Sequence, residues 1–269
     1  MITFVSPKKQ KISKAVAELN ATSYSSLFKA LRKKDVKVNG KRVREDVVLS
    51  AGDVVEIYCD NSSRSGFSTV YSDDNVLVVD KKSGFTSENV YEEIKGEYQS
   101  AGFIHRLDRN TSGLMVFSLS PAAETALLKG FKNRDFTKTY TAEVIGKMPE
   151  REGLLTAYLK KDPVAATVKI FDEKVAGALP IKTGYKVVKE GEETSVLSVT
   201  LYTGRTHQIR AHLAHIGHAV VGDGKYGDNA FNRRTGVKKQ RLCASGLTFR
   251  FPKESPLNYL DGKTFNTDF

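Results

Sequence analysis

The chain has 269 residues, enough for one large domain or two smaller ones, and 40% of them are hydrophobic, which suffices for an ordinary core. Its 42 Lys and Arg residues outnumber 31 Asp and Glu residues, and the net charge of +11 favours an anionic partner, nucleic acid or an acidic membrane surface. The sequence contains no apolar run long enough to cross a membrane, and its first residues lack the apolar core of a signal peptide. Cys59 and Cys243 do not have the spacing of zinc ligands. We therefore expect a cytoplasmic protein with reduced thiols and no membrane partner.

A small module is predicted over residues 1–60. Apolar residues recur at helical spacing in 11–19 and again in 24–34, which indicates two short helices. Asn39-Gly40 lies between two short β-like runs and is typical of a tight hairpin. A β-rich strand closes the module, so it combines two helices with a small sheet.

A basic stretch runs from Lys29 to Arg44 and contains a single acid, Asp35. A run of charge is usually just a solvated face. Because this run spans a helix and the following hairpin, folding would gather it on one face suited to phosphate contacts. The eight basic residues are Lys29, Arg32, Lys33, Lys34, Lys37, Lys41, Arg42 and Arg44.

A polar Ser/Gly-rich linker is predicted at 61–67, and a longer segment follows at 68–269. Helical and β-like patterns alternate irregularly in this segment, which favours an α+β fold with a large mixed sheet over regular βαβ winding. The predicted strands are 75–81, 113–119, 138–146, 154–160, 182–189, 195–202 and 242–251. The predicted helices are 87–99, 121–134 and 205–217.

Asp108 lies between Arg106 and Arg109 in the stretch HRLDRNTSGL, directly before a predicted buried strand. Asp is common in turns and helix caps, and that is its ordinary explanation. Flanking cations, however, favour the ionised form of a carboxyl group. An ionised carboxylate near neutral pH can act as a nucleophile or a base, so Asp108 is a candidate for either role.

A second polar cluster occupies residues 203–218, TGRTHQIRAHLAHIGH, and offers many hydrogen-bond donors within a few residues. Its histidines raise the alternative of a metal site, but the HExxH pattern is absent and no acid lies among them. We predict that the histidines are structural and that no metal is bound. The histidines of this cluster are His207, His212, His215 and His218.

Tyr140 lies in the middle of a predicted strand and alternates with Thr139 and Thr141, so its side chain has one definite face. A core or cross-strand aromatic is the ordinary role. A tyrosine that faces a cleft could instead stack on a base. The glycine turns in VVDKKSGF and VVGDGKYG indicate loops only, and the motifs that bind ATP or dinucleotides are absent.

Four of these segments, in this order, resemble the motifs of the RluA-type pseudouridine synthases, which are RNA-modifying enzymes. HRLDRNTSGLMVF resembles their signature, NVLVVDKKSG their first motif, FTKTYTAEVIG the strand of their active-site tyrosine, and TGRTHQIRAHLAHIGHAVVGDGKYG their third motif. The resemblance covers residues 68–252, and residues 10–59 resemble the S4 RNA-binding domain. It implies an S4-like module followed by a catalytic domain with a mainly antiparallel mixed sheet flanked by helices.

The resemblance also implies roles for single residues. Asp108 would attack the target uridine, at the sugar or at the base ring, with Arg210 paired to it. Tyr140 would stack on the base and assist proton removal, and Arg106 would fill the gap left by a flipped nucleotide. The other donors of the third motif would contact the substrate: Arg205, His207 and Gln208. The expected partner is ribosomal or transfer RNA, no cofactor is implied, and we expect a monomer.

The sequence departs from the family pattern at several places. Lys82 stands where proline is usual, Asn110 where aspartate is frequent, Ala219 where proline is usual and Ser245 where histidine is usual. These departures concern substrate contacts rather than the three residues of the chemistry.

Two other functions stay open at this point. One is a non-catalytic RNA-binding protein or ribosome assembly factor that uses the basic module alone. The other is a metal-dependent hydrolase built on the histidines of the second cluster.

Overall fold

A computed structural model describes residues 1–19, 21–22, 24–58, 65–162 and 164–269, apart from the side chains of 17, 24–26 and 29. The chain divides into two compact units, Met1–Ser65 and Gly66–Phe269, called here the N-terminal unit and the C-terminal unit. Most of the predicted linker lies outside the described residues, as does Cys59. Within the described ranges, no helix has the length and apolarity needed to cross a membrane.

The described part of the N-terminal unit contains two helices and six short strands. In chain order they are β1 (Ile2–Val5), β2 (Gln10–Lys11), α1 (Ile12–Glu18), α2 (Tyr24–Lys33), β3 (Val36–Val38), β4 (Lys41–Val43), β5 (Val48–Leu49) and β6 (Val54–Ile57). The main sheet has the order β1-β6-β3-β4 with antiparallel neighbours, and β2 pairs with β5 apart from it.

The predicted hairpin and both predicted helices of this unit are confirmed. Asn39 and Gly40 form the turn between β3 and β4 with φ angles of 49° and 78°, as a two-residue type I′ turn requires. The apolar faces of the helices bury Ile12, Leu27 and Leu31 completely or nearly so. They pack into one core with strand residues that are also completely buried, and the burial of this shared core stabilises the unit.

The C-terminal unit is dominated by one sheet. Its strands are β7 (Phe67–Ser72), β8 (Val76–Lys81), β9 (Gly102–Phe103), β10 (Ser112–Ser118), β11 (Thr137–Ile145), β12 (Glu152–Asp162), β13 (Thr167–Phe171), β14 (Leu179–Glu190), β15 (Thr194–Leu201), β16 (Leu242–Thr248) and β17 (Thr264–Asn266). Its helices are α3 (Ser87–Lys95), α4 (Pro121–Asn133), α5 (Gln208–His215) and α6 (Asn229–Thr235), with a 3₁₀ turn at Asn258–Leu260.

The strands of this sheet follow the order β13-β12-β14-β15-β11-β16-β10-β8-β7, with β17 added at β16 and β9 at β10. Among the described strands, β10 and β16 form a parallel pair and the other pairs are antiparallel. The prediction of an α+β fold with a mixed, mainly antiparallel sheet is therefore confirmed.

In the C-terminal unit the sequence patterns missed β7, β9, β13, β17 and α6. These elements are short or carry few apolar residues, so their periodicity is weak; α6, for example, buries only Phe231 among the residues of its seven-residue span. The helix predicted at 205–217 begins later, at Gln208, because His207 has a left-handed backbone with φ of 53°.

The parallel pair of β10 and β16 positions the loop that carries Asp108. Gly113, at the start of β10, has φ of 109°, and a Cβ there would collide with the backbone of Ala244 on β16. Glycine is required at this close approach. The Gly of HRLDRNTSGL thus lets the loop before β10 lie directly beside the start of β16.

Candidate active site

A cavity of about 180 Å³ lies in the C-terminal unit where four parts of the chain meet. These are the loop before β10, the strand β11, the segment that leads into α5, and the start of β16. All seven residues predicted as catalytic or substrate-binding line it: Arg106, Asp108, Tyr140, Arg205, His207, Gln208 and Arg210. The fold therefore brings together residues that are up to 104 positions apart in the sequence.

Asp108 and Arg210 form an ion pair at this cavity, as the resemblance implied. Nη1 of Arg210 donates to Oδ2 of Asp108 at 2.9 Å, and the arginine side chain is only 6% exposed against 22% for the aspartate. A charge-assisted bond of this length is among the stronger hydrogen bonds in proteins. Among the described residues, Arg210 and His207 both approach Oδ2 of this carboxylate rather than Oδ1.

Arg210 is held from its other side by Asp223, a residue that the sequence did not single out. Oδ2 of Asp223 accepts from Nε at 2.7 Å and Oδ1 accepts from Nη2 at 2.9 Å, while backbone N–H groups of Lys225 and Tyr226 also donate to Oδ1. Asp223 is fully buried. The only signal was an acid following a glycine in VVGDGKYG, which is equally typical of a turn.

Both charges of this buried pair are stabilised by the contacts. Burial disfavours the Arg210 cation, but its hydrogen bonds to Asp223 and Asp108 outweigh that cost and raise its pKa. Burial likewise disfavours the Asp223 anion, but Arg210 and the backbone donors hold the pKa of this carboxyl below 3.8. Arg210 is therefore a cation held between two carboxylates, Asp223 and Asp108.

Tyr140 presents its ring to the cavity from β11 and is 7% exposed. Strand β16 has one more residue than β11 between the pairs flanking Tyr140, Thr139↔Gly246 and Thr141↔Cys243. Such bulges redirect side chains next to active sites. Burial and, secondarily, the charge of Asp108 raise the pKa of the Tyr140 phenol far above 10. The phenol therefore stays protonated at neutral pH, which suits stacking better than proton abstraction.

The two predicted arginines at the rim are exposed. Arg106 has a side chain that is 71% exposed, with Nη1 3.4 Å from Oε1 of Glu88, and Arg205 lies at the edge of the cavity. An exposed surface pair of this kind contributes little to stability. The Arg106 guanidinium can therefore leave Glu88 at little cost.

Gln208 differs from the other predicted substrate contacts because its amide is already saturated. Its Nε2 donates to the Lys182 carbonyl and to Thr183 Oγ1, and its Oε1 accepts from Thr203 Oγ1 and from the Arg205 backbone. Gln208 is 2% exposed. We expect it to brace the segment before α5 rather than to bind substrate through its amide.

Three histidines of the second cluster each contact a different polar group. His212 Nδ1 lies 3.0 Å from Thr183 Oγ1, His215 Nε2 lies 2.8 Å from Asp172 Oδ1, and His218 Nδ1 lies 3.0 Å from the Ile145 carbonyl. In the part of the chain that the structure describes, no three His, Cys, Asp or Glu side chains are grouped so as to hold a metal ion. The geometry of these three histidines favours the structural role.

In the N-terminal unit, the basic stretch occupies the end of α2 and the β3–β4 hairpin. Lys37 is half-buried, with Nζ 3.1 Å from the Tyr58 hydroxyl, and the side chain of Lys29 lies outside the described residues. The others are exposed: Arg32, Lys33, Lys34, Lys41, Arg42 and Arg44.

A buried lysine, Lys81, lies behind the loop of Asp108. Its Nζ donates to the carbonyls of Lys82, Phe85 and Arg109 at 2.9 to 3.2 Å, so all three of its protons are used. The first-motif loop and the Asp108 loop are thereby tied to one cation. Burial lowers the pKa of Lys81 to about 8, against the opposing influence of Asp108.

This pKa predicts how stability depends on pH. Because the pKa of Lys81 is about 8 in the folded protein and 10.5 as a free side chain, the unfolded state binds more protons between these values. Stability should therefore rise with pH in this window, by up to about 3 kcal/mol. Urea unfolding gives the free energy of unfolding of the wild type and of Lys81→Met at pH 8 and at pH 10.5. The rise is measured as the change, between the two pH values, in the difference between these two free energies. A difference that stays constant across the window would contradict it.

The mixed sheet and the arginine-held aspartate beside a tyrosine agree with the class that the sequence motifs resemble, the RNA-modifying isomerases. The family model described as RNA pseudouridylate synthase matches residues 75–215, or 141 of the 269 residues. The chain belongs to this family, and it is an RNA pseudouridine synthase.

Proteins of known name are similar to this chain over most of its length. The chain is 28% identical to the ribosomal large subunit pseudouridine synthase C of Vibrio vulnificus, over 89% of this chain and 84% of the relative. It is 29% identical to the protein of the same name from Escherichia coli K12, over 87% and 83%. The solved human structure of RNA Pseudouridylate Synthase Domain Containing 1 has a TM-score of 0.66 and 27% identity, covering 78% of this chain and 86% of that one.

Proposed function

We propose that this protein converts specific uridines of large-subunit ribosomal RNA to pseudouridine, with Asp108 as the catalytic nucleophile. The observation that carries the proposal is the Asp108–Arg210 pair, 2.9 Å long, at the wall of a cavity that Tyr140 also lines. The choice of ribosomal RNA is supported by the names of the two bacterial relatives. Ribosomal RNA as substrate also favours a cytoplasmic location, and we propose that the protein acts there as a monomer.

The proposed reaction is an isomerisation that needs no co-reactant. An oxygen of Asp108 attacks the uridine, the bond from the ribose to N1 of the base breaks, and the base turns. A new bond then joins the ribose to C5, and the bond between the substrate and Asp108 breaks, which releases the carboxylate. The proton from C5 is lost while N1 gains one, so the atoms balance. Splitting the exchange into two steps through a covalent intermediate lowers each barrier.

The surrounding residues have complementary roles in this proposal. Arg210 holds Oδ2 of Asp108, which aims Oδ1 at the target. Tyr140 stacks on the base, while Arg106 moves from Glu88 into the space that the flipped nucleotide leaves. Flipping is necessary because the reacting atoms are inaccessible in stacked RNA, and it costs a few kcal/mol that these contacts offset.

The test is a pseudouridine map of unmodified RNA treated with the purified protein. Large-subunit ribosomal RNA transcribed in vitro, and transfer RNA transcripts as the comparison, are incubated with the protein and mapped. We expect pseudouridine at defined positions of the ribosomal transcript only. Modification of transfer RNA alone would overturn the choice of substrate. Tight binding to the ribosomal transcript with no pseudouridine formed would instead favour the assembly-factor function.

We further propose that residues 1–60 form an S4-like RNA-binding domain joined by the linker at 61–67 to a catalytic domain at 68–269. Its support is the basic stretch from Lys29 to Arg44, whose described members are mostly exposed. Each phosphate neutralised by such a side chain releases counterions, so binding becomes salt-dependent.

The salt dependence gives a direct prediction for this unit. Replacing Lys41, Arg42 and Arg44 together by alanine should weaken RNA binding and reduce the slope of log K against log salt by about 2. Binding of a ribosomal RNA transcript at several salt concentrations measures the slope.

The matched control removes three exposed lysines of the same unit that lie outside the basic stretch, Lys9, Lys11 and Lys14. This control should leave the slope close to that of the wild type. Equal reductions in both variants would mean that charge alone, and not this face, determines binding.

A further inference from the structure

His207 lies between the nucleophile and a tyrosine that the sequence did not single out. Its Nδ1 is 2.8 Å from the hydroxyl of Tyr226, and its Nε2 is 3.8 Å from Oδ2 of Asp108. The two rings meet edge to face with centroids 5.5 Å apart. Each nitrogen of the imidazole therefore faces a different polar group, and the location of its proton decides what it can do.

The Tyr226 hydroxyl determines which nitrogen of His207 carries the proton. Its oxygen accepts the backbone N–H of Val168, from β13, at 2.8 Å. Burial raises the pKa of Tyr226, so the phenol keeps its own proton at neutral pH. Among the described residues, His207 Nδ1 is the group within hydrogen-bond distance that can accept this proton. The hydroxyl accordingly donates to Nδ1, and a neutral His207 must carry its proton on Nε2.

The neutral form is favoured by the surroundings of the ring. Burial holds the pKa of His207 below 6.5, in spite of the nearby Asp108, and the Arg210 cation acts in the same direction as burial. The ring is thus uncharged at neutral pH, with an N–H aimed at the nucleophile.

The backbone of His207 supports a fixed placement. Its φ of 53° is left-handed, a conformation that costs a non-glycine residue energy and persists only when the surroundings enforce it. The same segment that carries Tyr226 also carries Asp223, which holds Arg210, and the Arg210 guanidinium lies 5.2 Å from the centre of the Tyr226 ring. One loop therefore braces both groups that face Asp108.

We propose that His207, kept in its Nε2-protonated form by Tyr226, is a positioning residue that donates to Oδ2 of Asp108 in the substrate complex. The present gap of 3.8 Å is too long for a hydrogen bond, but catalytic hydrogen bonds are often long in free enzymes and shorten when substrate binds. With Arg210 and His207 both on Oδ2, Oδ1 is the oxygen that reacts. This inference rests on the proposed role of Asp108.

Three variants distinguish the effect of the Nε2 hydrogen-bond donor of His207 from the effect of the size of its ring. His207→Leu removes the Nε2 donor, His207→Gln can place an amide N–H near the same position, and Tyr226→Phe removes only the hydroxyl. We expect His207→Leu to lower the single-turnover rate on a ribosomal RNA transcript by about 10- to 100-fold, as for loss of a hydrogen bond to a charged group. The affinity for RNA should be unchanged, and His207→Gln should recover most of the rate.

The tautomer is tested independently by ¹⁵N NMR of the free protein, in which the His207 signal is assigned from the His207→Gln spectrum. We expect a proton on Nε2 in the wild type and a shift toward Nδ1 protonation in Tyr226→Phe. Tyr259→Phe is the control, since it also removes a hydrogen-bonded hydroxyl, here one that donates to Asp73 at 2.8 Å, and should change neither signal nor rate.

The outcomes distinguish this inference from the function on which it rests. A wild-type proton on Nδ1, or a full rate in His207→Leu while Asp108→Ala is inactive, would overturn the positioning role alone. A full rate in Asp108→Ala would overturn the proposed role of Asp108 itself, whatever the tautomer of His207.

Discussion

The Asp108→Asn variant should lose isomerase activity by at least about 10⁴-fold while it still binds RNA, because an uncharged amide cannot act as the nucleophile that we propose Asp108 to be. Asparagine has the shape of aspartate, and its amide oxygen can still accept from Arg210. Arg210 also keeps its bonds to Asp223, so the buried cation stays paired and the fold is retained. Single-turnover conversion of a ribosomal RNA transcript measures the rate, and filter binding measures affinity.

The matched control is Asp172→Asn, which makes the same chemical change at an aspartate whose side chain is 83% exposed and contacts His215. It should leave both rate and affinity near the wild-type values. Asp108→Asn with wild-type rate would mean that another group attacks the uridine. Loss of affinity together with rate would mean that Asp108 supports binding rather than chemistry.

The active-site pair could be predicted only because the motifs resemble a known family. Asp108 and Arg210 are 102 residues apart, and no local pattern connects them. Their spacing in the sequence carries no information about distance in space until the sheet order is known. The fold class, in contrast, followed from local periodicity, since β11 and β15 alternate clearly and Ser120-Pro121 begins α4 as a cap and first-turn proline should.

The residues that support this pair were not predictable in the same way. Asp223 and Tyr226 lie in a glycine-rich segment typical of an ordinary turn, and Lys81 ends a strand that is otherwise apolar. What gives each its role is a tertiary contact: the Arg210 guanidinium for Asp223, His207 for Tyr226, and three carbonyls for Lys81. The role of a buried polar residue depends on its hydrogen-bond partners, and here these partners come from distant parts of the chain.

The Asp223→Asn variant should be destabilised by about 3 to 5 kcal/mol, because it leaves the buried Arg210 cation without its main partner. Its rate should also fall, by about 100-fold, since Arg210 no longer has a fixed position from which to aim Asp108. Urea unfolding at neutral pH gives the free energy, and single-turnover conversion of RNA gives the rate. Unchanged stability with a reduced rate would mean that Asp108 alone suffices to hold the buried cation.

The stability lost in Asp223→Asn should decrease as the pH falls. The pKa of Asp223 in the folded protein lies below 3.8, so its contribution to stability is complete above that value and disappears as the pH falls below it. The difference between the wild type and Asp223→Asn should therefore shrink in acid. A difference that persisted well below pH 3.8 would show that packing of the side chain, rather than its charge, stabilises the fold.

A matched control exists in the same unit, because Glu193 makes the same two-pronged contact with Arg234, at 2.7 and 3.1 Å, on the surface. Glu193→Gln should leave stability and rate unchanged, since water solvates both exposed groups once they separate. The two pairs have similar geometry and differ in burial. If both substitutions had equal effects, burial would not be what makes the Asp223–Arg210 contact decisive, and the account of Arg210 as a cation held in place for Asp108 would fail.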